Sequence, residues 1–176
     1  MWDWNRNSNK GEHNFLATGA DGRPRIFETF MANVADLGHE DMILPVVVGG
    51  LVGMKLLARM KERGRIDKLP GIIYLDSAHE KDETYLELTQ AWSILRECGA
   101  IIGDDWNWRK VRGDVVKLAK EKKLPKLPLY DTPDIITQQP VSGLLVGPNN
   151  QWFVIKNTSG GCNYRKDGSW KNMLHQ

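Results

Sequence analysis

The chain has 176 residues, of which 41% are hydrophobic and 26% charged, a balance that is typical of folded globular proteins and excludes a disordered or fibrous chain. Its length suits one domain with a sizeable buried core. The 24 basic and 22 acidic side chains leave a net charge of only +2, which does not favour binding to nucleic acid or to a membrane. We therefore expect neither of these partners.

The cysteines and the chain start indicate a cellular compartment. Cys98 and Cys162 are the two cysteines, and they form neither a disulfide framework nor a CxxC metal pattern. No apolar stretch approaches the roughly 18 residues that span a bilayer, and the N-terminus is too polar for a signal peptide. These features predict a soluble protein of the reducing cytoplasm.

The first part of the chain predicts a loop, a helix, a strand and a second helix. Residues 1–25 are rich in Asn, Gly and charge, and are expected to be mostly loop. Residues 26–38 carry apolar side chains at helical spacing, and Gly38 offers a stop. The apolar run 41–48, "DMILPVVV", predicts a buried strand. An amphipathic helix is predicted over 51–64, "LVGMKLLARMKERG".

The middle of the chain alternates strands and helices. "GIIYLD" (71–76) and "AIIGDD" (100–105) are apolar runs that predict strands. Residues 83–98, "ETYLELTQAWSILREC", and residues 108–123, "WRKVRGDVVKLAKEKK", show helical periodicity. Strands that alternate with helices predict an α/β fold, in which apolar strands pair in parallel beneath helices.

Beyond Pro125 the pattern changes. Three short strand-like runs, "DIITQ" (134–138), "GLLVG" (143–147) and "QWFVIKN" (151–157), are broken by Pro, Gly and Asn, which predicts an antiparallel edge. Residues 158–176 read as a polar tail. No repeat or second domain is evident, so residues 1–176 are interpreted as one domain.

Acidic residues follow two of the predicted strands. Asp76 ends the strand "GIIYLD", and Asp104 and Asp105 end the strand "AIIGDD". Ligands of open α/β sheets bind at the carboxyl ends of the strands. If the two strands are neighbours, these three carboxylates and His79 meet at one rim of the sheet.

A divalent cation would resolve the repulsion among these acids. Neighbouring carboxylates raise one another's pKa, and an oxygen-rich set suits Mg²⁺, Mn²⁺ or Ca²⁺ better than zinc. A bound cation would lower the pKa of a substrate hydroxyl, and His79 could accept its proton. The alternative is that Asp104 and Asp105 cap the helix that follows them.

The glycine cluster in "VVVGGLVGMKLL" (46–57) loosely matches a phosphate-binding loop between a strand and a helix. It lacks the full G-x-G-x-x-G pattern and the Lys-Ser/Thr of a P-loop. A tight turn that needs glycine's conformational freedom is therefore the favoured interpretation.

The two acidic motifs and the run that joins them resemble a known family. "LDSAH" and "GDDWNWRKV" are similar to the (I/Y)-D-x-x-H and G-D-D-(Y/W)-x-W-x-x-V motifs of class I S-adenosylmethionine-dependent methyltransferases, in particular small-molecule O-methyltransferases of the macrocin and novobiocin type. The resemblance covers about residues 23–123. It implies a Rossmann-like sheet, largely parallel with antiparallel C-terminal strands.

The resemblance also implies a site. Asp76, Asp104 and Asp105 would bind Mg²⁺ or a similar divalent cation, and His79 and Asp76 would be the catalytic residues. S-adenosylmethionine would be the cofactor and a hydroxylated small molecule the substrate. Asp3, which would bind the ribose, and Ser77 are the candidate cofactor-binding residues.

The sequence departs from the family at its N-terminus. The first βαβ unit, with its glycine-rich cofactor loop, has no counterpart here, and its absence leaves the strand "GIIYLD" with an open edge. We expect a homo-oligomer that covers this edge; a local rearrangement and a fragment of a longer gene are the alternatives. The same departure keeps open a catalytically inactive remnant that serves as a binding or assembly module. A metal-dependent hydrolase or hydroxylase is less favoured.

Overall fold

The structure is a computed structural model that describes residues 25–77, 79–124, 143–159 and 162. The chain divides into two compact units, Met1–Val47 and Val48–Gln176, and each is described by itself. Asp3 and the predicted strand at 134–138 lie outside the described residues. None of the helices in the described ranges has the length and apolarity that crossing a membrane requires.

The first unit contains one described helix, α1 (Arg25–Asp36), which confirms the predicted helix. Val34 is its buried residue, with 4% of its surface exposed. Gly38 has a φ of +65°, a left-handed conformation that costs glycine little. Its N–H donates to the carbonyl of Ala35 at 2.9 Å. The helix therefore ends where the sequence indicated.

The apolar run after α1 is not a strand. Residues 41–48 contain no strand or helix, and Met42, Leu44 and Val47 are 81%, 85% and 69% exposed. The prediction of a buried strand is therefore wrong. A strand needs a partner for its backbone N–H and C=O groups, and none of the described strands pairs with this run. Pro45 also removes one of the donors that a ladder would use.

The second unit contains the other described elements, and they agree with the prediction. Its helices are α2 (Gly50–Glu62), α3 (Glu83–Ile94) and α4 (Arg109–Glu121), and its strands are β1 (Ile72–Leu75), β2 (Ala100–Gly103), β3 (Leu144–Val146) and β4 (Trp152–Ile155). Each helix begins and ends within a few residues of its predicted limits, because its apolar side chains repeat at the helical period.

The four strands form one sheet in the order β1-β2-β4-β3. β1 and β2 are parallel, whereas β4 is antiparallel to both β2 and β3. The fold is α/β, and the predicted antiparallel C-terminal strands are confirmed. The sheet is mixed rather than largely parallel, since only one of these three strand pairs is parallel in the described part of the chain.

β1 and β2 differ in burial. Ile72 and Tyr74 of β1 are 57% and 51% exposed, whereas Ala100 and Ile101 of β2 are almost fully buried. β2 lies between β1 and β4, but no strand within the described ranges pairs with the outer edge of β1. The open edge expected from the sequence is therefore present among these residues.

The core of this unit lies where α3 and α4 meet the sheet. Leu88 of α3, Val115 of α4 and Ile101 of β2 have no exposed surface, and they belong to one apolar cluster. Trp92 is 8% exposed and belongs to the same cluster. Burial of these side chains supplies most of the free energy that holds the helices on the sheet.

A buried carboxylate completes the start of α3. Asp82, which precedes α3, has a φ of +66° and makes no side-chain cap. Asp114 of α4 is 5% exposed, and its Oδ2 accepts the N–H of Tyr85 at 3.1 Å. Because the first N–H groups of a helix lack partners within it, Asp114 both satisfies one of them and gains the partner that a buried carboxylate needs.

Cys98 and Cys162 form a disulfide, with their Cα atoms 5.4 Å apart. The expectation that these cysteines make no disulfide is wrong. They lie far apart in sequence, but the β2–β4 pairing places Ala100 opposite Ile155. Cys98, two residues before β2, therefore lies near the chain that leaves β4.

Polar contacts surround the disulfide. Glu97 accepts hydrogen bonds from the Thr158 hydroxyl at 2.8 Å and from the Ser159 N–H at 3.0 Å. Partial burial raises the pKa of Glu97, but the hydrogen bonds from Ser159 and Thr158 outweigh it, so its pKa lies below the ordinary value. Lys156 donates to the carbonyls of Trp92 and Leu95 at 2.8 and 2.7 Å, and desolvation lowers its pKa. These contacts fasten the start of the predicted polar tail to the end of α3.

Candidate metal centre

The parallel register of β1 and β2 brings the acidic motifs together. Leu75, the last residue of β1, lies opposite Gly103, the last residue of β2. The next residues, Asp76 and Asp104, therefore leave the same edge of the sheet. This confirms the expectation that the two strands are neighbours and that their carboxyl ends share a rim.

Three side chains at this rim converge on one point. Asp76, His79 and Asp105 each offer a potential ligand atom, and these atoms all lie within 4.8 Å of one another. His79 Nε2 is 2.6 Å from Asp105 Oδ2, with about a third of each side chain exposed, 34% and 31%. The group is open enough for an ion to enter and close enough for one ion to contact all three side chains.

Asp104 stands apart from this cluster. Its Oδ1 accepts the backbone N–H of Asp105 at 2.8 Å, and Asp105 has a φ of +60°. The structure thus brings together two of the three expected carboxylates plus the imidazole. One oxygen of the third carboxylate is engaged by the backbone.

The cap interpretation of these acids fails. α4 begins at Arg109, and its N-cap residue is Trp108, whose side chain makes no cap hydrogen bond. The backbone carbonyl of Asp105, not its carboxylate, accepts the N–H of Trp108 at 2.8 Å. A turn therefore separates the acidic pair from the helix, and both carboxylates line the cleft instead.

Trp152 of β4 supports Asp104 from the neighbouring strand, and the sequence did not indicate this role. Its indole Nε1–H donates to the Asp104 carbonyl at 2.7 Å, and it is 1% exposed. A Cβ on Gly103 would overlap the Trp152 ring, so position 103 accepts only glycine without rearrangement. The tryptophan was visible in the sequence, but the β2–β4 pairing that brings it here was not.

Trp108, rather than Trp106, flanks the histidine. The rings of His79 and Trp108 have their centroids 4.8 Å apart, at an interplanar angle of 48°. Trp106 packs partly against the core, and its N–H donates to the carbonyl of Asn150 at 2.8 Å. The aromatic ring beside His79 is thus Trp108, because the turn after Asp105 carries Trp106 toward the core.

Tyr74 of β1 is affected by its own desolvation and by the carboxylates of the rim. Desolvation, followed by the carboxylates of Asp104 and Asp76, raises the pKa of Tyr74 above its ordinary value, against a smaller opposing effect of a hydrogen bond with Gln151. The phenol therefore keeps its proton through the neutral range and remains a hydrogen-bond donor.

Ser77, a candidate cofactor-binding residue, is engaged within the protein. Its hydroxyl donates to both carboxylate oxygens of Glu87, at 2.8 and 2.9 Å. Glu87 lies in α3 and is 8% exposed. The carboxylate also approaches the start of α2, since a Cβ on Gly50 would lie 3.1 Å from its Oε1.

This arrangement decides the role of the glycine cluster. The N-terminus of α2 faces the Glu87 carboxylate, which would repel a phosphate, so the phosphate-loop interpretation is not supported. Gly49 has a φ of −60°, and Gly50 does not have a positive φ either. The favoured explanation, a turn that only glycine can adopt, is therefore wrong, and Gly50 instead permits a close approach.

The cleft above these residues is small, with a cavity volume of about 10 Å³. Its walls come from the ends of β1 and β2, from α3 and α4, and from β4: Leu75, Asp76, Ser77, His79, Thr84, Glu87, Asp104, Asp105, Val111 and Trp152. Small-molecule pockets usually measure about 300–1,000 Å³. The cleft suits an ion with a small ligand group, and among the described residues it is too small for S-adenosylmethionine.

The donor set fits a divalent cation. Two carboxylates suit Mg²⁺ and Mn²⁺, and an imidazole ligand is better tolerated by Mn²⁺ than by Mg²⁺. Comparison of the chain with models of known protein families gave no match, and comparison with curated proteins gave none. These comparisons do not test the resemblance to methyltransferases, which stays a prediction.

Proposed function

We propose that this chain is a Rossmann-like methyltransferase-type domain. It holds a divalent cation, Mg²⁺ or Mn²⁺, through Asp76, His79 and Asp105, and it O-methylates a hydroxylated small molecule. One observation carries the proposal: potential ligand atoms of these three residues lie within 4.8 Å of one another at the carboxyl ends of two parallel strands. Ligands of α/β sheets bind at this edge.

The cluster's own geometry explains what each residue does. Asp76 and Asp105 supply oxygen ligands from two neighbouring strand ends, so their spacing is fixed by the sheet. His79 is oriented by its 2.6 Å contact with Asp105 and by the Trp108 ring, and it would present one ring nitrogen to the cation. A divalent cation at this position supplies the charge that lowers the pKa of such a hydroxyl.

The described residues do not supply a binding site for S-adenosylmethionine, because the cleft is too small and the start of α2 faces Glu87. The same observation favours a second candidate function, a catalytically inactive methyltransferase-like module that binds a cation and a small hydroxylated ligand.

The metal site is tested by titrating the protein with Mn²⁺ and following free Mn²⁺ by electron paramagnetic resonance. Asp105→Asn should weaken binding by more than about 10-fold, since loss of an outer partner alone costs that much. Asp104→Asn is the matched control, because the asparagine oxygen still accepts the Asp105 N–H. Equal losses in both variants would contradict the ligand assignment.

The reaction is tested by calorimetric titration with S-adenosylhomocysteine, with and without Mg²⁺. Binding that strengthens with Mg²⁺ supports methyl transfer. The absence of heat in both titrations, in a protein that binds Mn²⁺, would replace the enzyme with the binding module.

We further propose that a second copy of the chain covers the outer edge of β1. Ile72 and Tyr74 expose about half of their surface on this strand, 57% and 51%, and an unpaired apolar strand edge favours association. Light scattering should give the mass of a dimer, and a monomeric mass at micromolar concentration would refute this part of the proposal.

A further inference from the structure

Glu87 is a buried carboxylate that the proposed function does not use. It is 8% exposed in the middle of α3, where helices more often bury apolar side chains. Burying a carboxylate is costly unless hydrogen bonds compensate. Its partner is the Ser77 hydroxyl, which contacts both of its oxygens at 2.8 and 2.9 Å.

We propose that Glu87 is a positioning residue for the metal centre, acting through Ser77. The proposal rests on the proposed function, since it concerns the same cluster. Ser77 directly follows Asp76 and lies two residues before His79. A bond that holds Ser77 therefore acts next to Asp76 and two residues before His79, which are two of the three ligands.

Glu87, which also lines the cleft, is held within the core. Glu87 projects from a helix whose neighbours Leu88 and Ala91 are fully buried, and its Oε1 lies against Gly50 at the start of α2. Asp76 and Ser77 are exposed to solvent, and the hydrogen bonds between Ser77 and Glu87 connect them to α3 and to the start of α2.

Glu87 acts on the cation indirectly. Its oxygens do not belong to the cluster of atoms within 4.8 Å, which comprises Asp76, His79 and Asp105. Both carboxylate oxygens of Glu87 instead accept a hydrogen bond from the Ser77 hydroxyl. Removing the hydroxyl should therefore harm metal binding at least as much as neutralising the carboxylate.

The test compares three variants by Mn²⁺ titration. Ser77→Ala removes both hydrogen bonds, and Mn²⁺ affinity should fall roughly 10- to 100-fold, as for other residues that orient metal ligands. Glu87→Gln keeps one oxygen acceptor for Ser77 and should lose less. Ser93→Ala is the control: this hydroxyl, also associated with α3, bonds to the Gln90 carbonyl at 2.7 Å, and its loss should leave affinity unchanged.

A direct role would give the opposite order. If Glu87→Gln loses much more affinity than Ser77→Ala, Glu87 contacts the cation and the positioning role is overturned. Unchanged affinity in both variants, with wild-type binding intact, would overturn it while leaving the proposed function in place.

A second readout needs no metal. The imidazole ¹⁵N resonances of His79, measured in the metal-free protein, should shift or broaden in Ser77→Ala and stay in place in Ser93→Ala. If wild type binds no Mn²⁺, the proposed function fails, and these resonances still decide the positioning role. Identical spectra in all three proteins would overturn it.

Discussion

Two apolar runs of similar composition have opposite fates in this molecule. Residues 41–48 expose most of their large side chains, with Leu44 at 85%, and form no strand. Residues 100–103 form β2, in which Ile101 has no exposed surface. From composition alone, both runs were expected to form strands.

The difference lies in the partners. β2 has β1 on one side and β4 on the other, so its backbone groups are paired and its side chains are covered. The run at 41–48 pairs with none of the described strands. Apolar composition makes a strand possible, but only a paired neighbour satisfies its backbone. Four changes test this contrast, beginning with the largest expected effect.

Removing the disulfide should weaken the region of β2 most. Cys98→Ser opens a crosslink between residues 64 apart in sequence, and the loop-closure entropy of such a span corresponds to about 4 kcal/mol. Urea unfolding should show this loss. Reducing the wild-type protein should reproduce it, and adding reductant to Cys98→Ser should change nothing. Equal stability of the oxidised and reduced wild type would contradict the crosslink.

Ile101→Ala should cost about 3 kcal/mol, because it empties a fully buried position between two strands. The free energy of unfolding, measured in urea, gives the loss. Val115→Ala, at another fully buried position in α4, is a companion that should also destabilise. A loss below that of a surface substitution would mean that β2 is not enclosed as described.

Acid should loosen the contacts next to the start of β2. The pKa of Glu97 lies below its ordinary value of 4.5, so the unfolded chain binds the proton more tightly. Its stabilisation is therefore complete above that value and is lost as the pH falls through the folded-state pKa. Thermal melts between about pH 6 and pH 3 should show a weaker pH dependence of stability in Glu97→Gln than in wild type. The difference should be less than about 1 kcal/mol, because the contacts lie near the surface.

Glu62→Gln, at an exposed position of α2, is the control for that series. Its melting curve should follow wild type across the whole pH range. If Glu97→Gln and Glu62→Gln behave alike, the contacts of Glu97 with Thr158 and Ser159 do not contribute.

Leu44→Ser should have the smallest effect, within about 0.5 kcal/mol of zero, since substitutions at exposed positions change little and Leu44 is 85% exposed. Thermal unfolding at matched concentration is the measurement. A loss comparable to that of Ile101→Ala would show that the run is covered in solution, and would remove the contrast with β2.

The parts of the fold that were predictable are those with a local signal. Helices α1 to α4 follow from apolar periodicity, and the rim of Asp76 and Asp105 follows from the rule that parallel strands end together. The run at 41–48 misled because the same apolar residues suit a strand or an uncovered segment. Pro45 is a local signal against a strand in this run, since it removes a ladder donor.

The rest of the site depends on long-range pairing. Trp152 reaches the Asp104 carbonyl, and Cys162 reaches Cys98, only because β4 lies antiparallel to β2. In the sequence Glu87 is indistinguishable from an ordinary polar helix residue, and only the fold brings the Ser77 hydroxyl to its carboxylate. Asp104 lies outside the cluster because of the backbone conformation of Asp105, which no local sequence pattern indicates.

The disulfide also makes a closed covalent ring of the chain between Cys98 and Cys162, and this ring includes β2, α4, β3 and β4. A protease that cuts the backbone once inside that ring leaves a single covalent molecule. Such a nicked protein would migrate as one species on a non-reducing gel and as two fragments after reduction. The acidic pair of β2 would remain joined to the strand that supports it.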